Sequence, residues 1–151
     1  VIIALTGHRS EDCRSEDDVR TRVRDALSMA PEPVDAVITG MANGFDLWGG
    51  HEAHSLGIPL WVARPWTSHA PRVEDRDLYL ELVRVCSKYH IVETATLTYP
   101  GPWVYHKRNE WMVDNATHVM AYWNGKQSGG TYACINYTNK VEKPLRNIYG
   151  P

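Results

Sequence analysis

The 151-residue chain balances 16 Lys and Arg against 18 Asp and Glu, a formal net charge of −2 at pH 7, with 43% apolar and 23% charged residues. Such a chain is long enough for one domain with its own core, and its scattered basic residues argue against a broad nucleic-acid face. No stretch approaches the roughly 20 apolar residues that a membrane span requires, and three cysteines without a CxxC pair predict reduced thiols in a cytoplasmic protein.

Val1-Ile2-Ile3-Ala4-Leu5 reads as a first buried strand, too short and too poor in preceding basic residues for a signal peptide. After Thr6-Gly7-His8-Arg9-Ser10, a helix is expected with Ser15 as N-cap and Glu16, Asp17 and Asp18 in its first turn. Its apolar residues Val19, Val23, Ala26, Leu27 and Ala30 recur at helical spacing, and Pro31 and Pro33 stop it. Val34 to Thr39 is a second strand. The glycine-containing loop Thr39 to Asp46 then leads into a helix ending near Gly57, and Ile58 to Ala63 is a third strand. A polar, proline-containing stretch precedes a helix over about Glu74 to Ser87, with Leu78, Leu82, Val85 and Cys86 on one face.

Tyr89 to Val92 is a fourth strand, and Thr94 to Pro102 a loop rich in Thr, Pro and Gly. Tyr105 to Asn115 reads as a helix with Tyr105 and Met112 on one face, and His118 to Tyr122 as the next strand. A Gly-rich loop from Trp123 to Thr131, a helix to about Lys140 and a closing strand from Pro144 to Tyr149 complete the chain. Short apolar strands alternating with helices predict a single three-layer α/β domain over residues 1–151, with a mostly parallel central sheet.

In such a sheet ligands bind beyond the carboxyl ends of the strands, and the unusual residues of this chain fall there. Ser128-Gly129-Gly130-Thr131, between a strand and a helix, brings amides and a helix N-terminus to an anion; Thr131 adds its hydroxyl to the same phosphate or caps the helix. Gly40-Met41-Ala42-Asn43-Gly44-Phe45-Asp46 is neither a P-loop nor a GxGxxG fingerprint, and Asp46 either caps its helix or meets ribose hydroxyls. Arg9 could fork onto phosphate or pair with Asp46, and the adjacent His8 is a hydrogen-bonding or titrating group. Lys107, Arg108 and Asn109 enter a helix that also carries Asp114; Arg108 and Asn109 either face the ligand or belong to a solvated polar face with an intrahelical Arg–carboxylate pair. His51 and His54 are spaced i, i+3 rather than the i, i+4 of HExxH and suggest no third ligand, so no metal is expected. No serine sits in a Gly-x-Ser-x-Gly elbow.

Taken together, the motifs resemble the SLOG superfamily, and within it the small YpsA-like and phage-borne branch. The matching pieces are Thr6-Gly7-His8-Arg9, Gly40 to Trp48, Ile58-Pro59-Leu60 with Arg64-Pro65-Trp66, Arg108 to Asp114, and Ala121 to Gly125 running into Ser128-Gly129-Gly130-Thr131. The resemblance implies a Rossmann-like fold and a nucleotide or nucleotide-derived ligand with its phosphate on the Gly-Gly-Thr loop. It extends the expected ligand contacts to Gly7, Gly40, Met41, Gly44, Arg64, Trp66 and Trp123. The wider superfamily includes LOG-type phosphoribohydrolases, DNA-processing protein A and nucleotide sensors, and fold does not choose among them.

LOG-type enzymes carry a Glu shortly after the Gly-rich loop, whereas Tyr132, Ala133 and Cys134 follow Thr131 here. If this chain hydrolyses or transfers at an N-glycosidic bond, Asp46 and Asp114 are the candidate catalytic carboxylates, with Arg9 and Arg108 holding the phosphate. No cofactor is called for. The resemblance and the six tryptophans and eight tyrosines lead to an expectation of a homo-oligomer.

Overall fold

The computed structural model describes residues 1–150. Six strands alternate with five helices: β1 (Ile2–Gly7), α1 (Glu16–Ser28), β2 (Ala36–Thr39), α2 (Phe45–Ser55), β3 (Leu60–Trp66), α3 (Arg76–Val85), β4 (Lys88–Glu93), α4 (Trp103–Asp114), β5 (His118–Tyr122), α5 (Gly129–Lys140) and β6 (Leu145–Asn147). All neighbouring strands pair in parallel, in the order β4-β3-β2-β1-β5-β6. The order reverses between β1 and β5, so their following loops diverge and open a crevice at the carboxyl edge. This is the expected Rossmann-like three-layer α/β architecture.

The local chemistry accounts for the elements. Ser15 Oγ accepts from the Asp18 amide at 3.0 Å, capping α1 as its sequence predicts, and three carboxylates follow in the first turn. Val19, Val23, Ala26 and Leu27 face the sheet, where α1 packs beside α2 and α2 beside α3 over Ile3, Leu5, Val37 and Met120. The opposite face is covered by α4 and α5, with Met112, Val113 and Cys134 against Ala4, Ile38 and Val119. Strands covered on both sides must be apolar throughout, as β2 is.

The structure moves some boundaries. β3 continues to Trp66, so Arg64, Pro65 and Trp66 belong to the strand rather than to a loop after it. Proline is tolerated there because β2 ends at Thr39, opposite Val62, leaving no β2 carbonyl for a Pro65 amide to meet. Cys86 closes α3 half-buried, whereas Cys134 lies in the core. Among the described residues, no helix is long and apolar enough to cross a membrane.

One long-range clasp holds the α4–α5 layer. Lys143 Nζ donates to the carbonyls of Val113 (2.7 Å), Asp114 (3.0 Å) and Ala116 (2.6 Å), capping the C-terminal end of α4 where the helix dipole favours a cation. Lys143→Ala is expected to lower the free energy of unfolding by about 1–2 kcal/mol. The loss would appear as a lower urea midpoint at unchanged slope. An unchanged midpoint would mean that water serves these carbonyls equally well.

Candidate functional site

A cavity of about 710 Å³ opens at the carboxyl edge of the sheet. Its walls come from the segments following β1, β2, β3 and β5, together with the first turns of α4 and α5. That volume lies in the upper part of the range for small-molecule sites, about 300–1,000 Å³.

The floor is built around Gly40. Asp46, from the first turn of α2, and Arg108, from α4, are each 6% exposed and flank this residue. A Cβ on Gly40 would sit 2.9 Å from both Asp46 Oδ2 and Arg108 Nε. Arg108 Nη1 donates to the Gly40 carbonyl at 2.7 Å, while Asp46 Oδ2 accepts from the Ala42 amide at 3.4 Å and also faces the Gly40 amide. Met41, between them, adopts a left-handed φ of 67° that wraps the backbone around the carboxylate. Burial pushes the Asp46 carboxyl up to about 6 against the opposing pull of Arg108, and burial likewise lowers Arg108. Arg108 is therefore a buried pocket residue and not part of a solvated polar face.

The wall after β1 is tied to its neighbours by close backbone approach. Gly7 lies against the Phe45 ring, and its Cβ would come within 2.7 Å of Phe45 Cβ. Gly44, at φ 87°, tucks under His8 and Arg9, so it supports the wall from behind. Asn43 Oδ1 accepts from the Ser10 amide at 3.0 Å. His8 Nε2 accepts from the Asn124 amide at 2.9 Å, which places the imidazole proton on Nδ1 and bridges the loops after β1 and β5. Burial lowers the His8 pKa, with Asp12 acting against it. Arg9 stays exposed at the rim, close enough to Arg108 to lower its basicity; the positive charge that acts on Asp46 is that of Arg108.

The wall after β5 is open. Ser128 is extended (φ −159°, ψ 163°) and its side chain caps nothing. Gly129 has a φ of 88°, a conformation that favours glycine. Gly130 has neither a left-handed φ nor any atom within 4 Å of where its Cβ would stand. The fold does not require glycine at position 130, and the space above it belongs to the cavity.

Of the residues expected at the site, Gly7, His8, Arg9, Met41, Asp46, Trp66, Arg108, Asn109 and Ser128 to Thr131 line this cavity. Others lie elsewhere. Asp114, at the end of α4, accepts from Tyr137 Oη at 2.6 Å outside the cavity. Arg64 turns to Tyr89 Oη (2.6 Å) and the His69 carbonyl. Trp123 stacks on Tyr132 at 6.1 Å and donates to the Lys126 carbonyl. His51 Nδ1 accepts from Arg20, and Glu52 pairs with Arg20 and Arg24, so this stretch joins α1 to α2.

Sequence reading missed His69, Asp75, Tyr105 and Lys126, all of which line the cavity. Burial, with Arg108 and Arg64 nearby, lowers His69 to about 3 and keeps it neutral. Only Tyr105 carried a signal, as an aromatic in the first turn of a helix at the sheet's carboxyl edge.

Asp46 gives the site a pH signature. In the folded protein it holds its proton up to about pH 6, and in the unfolded chain only to about pH 4. Its protonation thus favours the fold below about pH 4, and that contribution fades as pH rises through 6. Urea unfolding of wild type and Asp46→Asn between about pH 4 and 7 should show wild type losing stability relative to the variant, by on the order of 2 kcal/mol. Parallel profiles would mean that Asp46 stays ionised throughout.

No protein-family model matches the sequence, and no curated protein matches it. Solved structures do. DNA processing protein A from Helicobacter pylori, described for its single-stranded DNA binding mode, aligns with a TM-score of 0.67 at 15% identity over 96% of this chain and 63% of that one. DNA processing protein A from Streptococcus pneumoniae aligns with a TM-score of 0.70 at 12% identity, over 95% of this chain and 48% of that one. The Moco carrier protein of Chlamydomonas rheinhardtii aligns at 0.55 and 13%, over 95% and 72%. The chain thus spans less than two thirds of either DNA processing protein. These likenesses establish a Rossmann-like fold of the kind the SLOG resemblance implies. They lend no support to the expectation against nucleic acid.

Proposed function

We propose that the protein binds a nucleotide or nucleotide-derived ligand in this cavity, with the phosphate on the Ser128-Gly129-Gly130-Thr131 turn. Gly130 carries the reading: nothing in the fold forbids a side chain there, and its absence leaves the α5 N-terminus open to an anion. The glycine loop after β2 is not available for the phosphate, because its amides already face the Asp46 carboxylate. Arg9 and Arg108 approach each other, and Lys126 joins them at the cavity, an arrangement that a bound anion would relieve.

Gly130→Asp separates binding from folding. A carboxylate in the first turn of a helix favours the helix by a few tenths of a kcal/mol or more, yet it repels phosphate. Thermal unfolding should be unchanged or raised, and calorimetric affinity for nucleoside 5′-monophosphates should fall at least tenfold. Equal affinity in variant and wild type would sink this placement. The single-stranded DNA binding named for the Helicobacter pylori protein is tested in parallel with an oligonucleotide. DNA affinity that falls steeply with salt, with no nucleotide binding, would replace the reading.

A second reading, N-glycosidic hydrolysis or transfer, is favoured by Asp46: a carboxyl that lines the cavity and titrates near 6 suits general acid–base work. Asp114 does not contribute to it. Free base released from a nucleoside monophosphate by wild type and not by Asp46→Asn would establish turnover. An intact, co-purified nucleotide would favour a binder.

A further inference from the structure

At the first turn of α4 the wall of the cavity is aromatic. Tyr105 stands in the first turn of α4, with its ring centroid 6.1 Å from that of Tyr99, which in turn lies 6.1 Å from Trp66. Tyr105 and Trp66 line the cavity, and Tyr99, 52% exposed, continues the row towards solvent. Arg108 Cζ lies 5.6 Å from the Tyr105 centroid, a cation–π contact that holds the ring from one side. Asn109 follows Tyr105 at i+4 and so shares its helix face. Its Oδ1 meets Arg108 Nε at 3.1 Å. A guanidinium only donates, so this contact fixes the amide orientation and leaves Nδ2, without a partner among the described residues, as a donor at the cavity wall.

We infer that this wall is the subsite for the planar ring of the ligand: a base stacks on Tyr105, and Asn109 Nδ2 donates to an acceptor on its edge. The inference rests on the phosphate placement proposed above, which puts the other end of the ligand at Gly130. It narrows the ligand class to nucleotides whose base presents a carbonyl or ring-nitrogen acceptor, and it disfavours bare sugar phosphates and inorganic phosphate. Stacking on a tyrosine face tolerates any base, so base discrimination falls to Asn109.

The test compares calorimetric affinities for adenosine, guanosine, cytidine and uridine 5′-monophosphates with that for ribose 5-phosphate, which lacks the ring. Wild type should bind at least one nucleotide about tenfold more tightly than ribose 5-phosphate. Tyr105→Leu should erase that preference while leaving ribose 5-phosphate binding unchanged, and Tyr105→Phe should retain it. Asn109→Leu removes the donor without adding a charge, and should weaken the nucleotide alone. No preference in wild type, no loss in Tyr105→Leu, or an equal loss for both ligands would overturn the ring subsite. Nucleotide binding that survives Gly130→Asp but falls in Tyr105→Leu would overturn the phosphate placement and leave the ring wall standing. A wild type that binds none of these ligands would overturn both.

Discussion

Two opposite charges, Asp46 and Arg108, are withdrawn from water on either side of Gly40, and the carboxyl edge of the sheet is organised around that burial. Isolated, each charge would be strongly disfavoured in the interior, and together they persist only where backbone groups complete their shells. The amides of Gly40 and Ala42 serve the carboxylate, and the Gly40 carbonyl serves the guanidinium. To do so, the end of β2, the start of α2 and the second turn of α4 must meet at one point. The left-handed Met41 and the missing Cβ of Gly40 are the local conditions for that meeting.

This arrangement makes the cavity asymmetric. The glycine loop after β2 has its amides turned to an internal anion, whereas the glycine turn after β5 presents its first-turn amides without a side-chain cap. Strand order supplies the space between them, because the loops after β1 and β5 diverge where the order reverses. The hydrogen bond from the Asn124 amide to His8 ties the two loops together. Arg108 then has two roles at once, beside Asp46 in the floor and against Tyr105 in the wall. The buried carboxyl of the floor and the aromatic wall are linked through one side chain.

Much of the scaffold was legible in the residues. The Ser15 cap, the apolar face of α1, the strand at His118–Tyr122 and the glycine turn before α5 follow from local chemistry and periodicity, and each stands where it was expected. The lining of the cavity was legible where glycines or charges fall at the end of a strand or the start of a helix, as with Gly7, Arg9 and Gly130. It was obscure where a residue's part depends on a distant neighbour. Arg64 carries the same charge as Arg108, but one turns to Tyr89 and the other to Gly40. His69 lies in an irregular polar stretch with no period, and only packing beside Tyr79 and Arg108 makes it a neutral cavity residue.

By itself, then, the sequence determined the alternation of elements and the placement of its glycine loops at the sheet's carboxyl edge, because hydrophobic period, caps and turn residues act over a few positions along the chain. Tertiary structure decided which loop keeps its amides free, which arginine is buried, that Asp114 lies apart from Asp46, and that Tyr105 faces the cavity. Those outcomes depend on burial and on partners up to 68 residues away, as between Arg108 and Gly40. Desolvation and pairing act through space, and no local pattern encodes them.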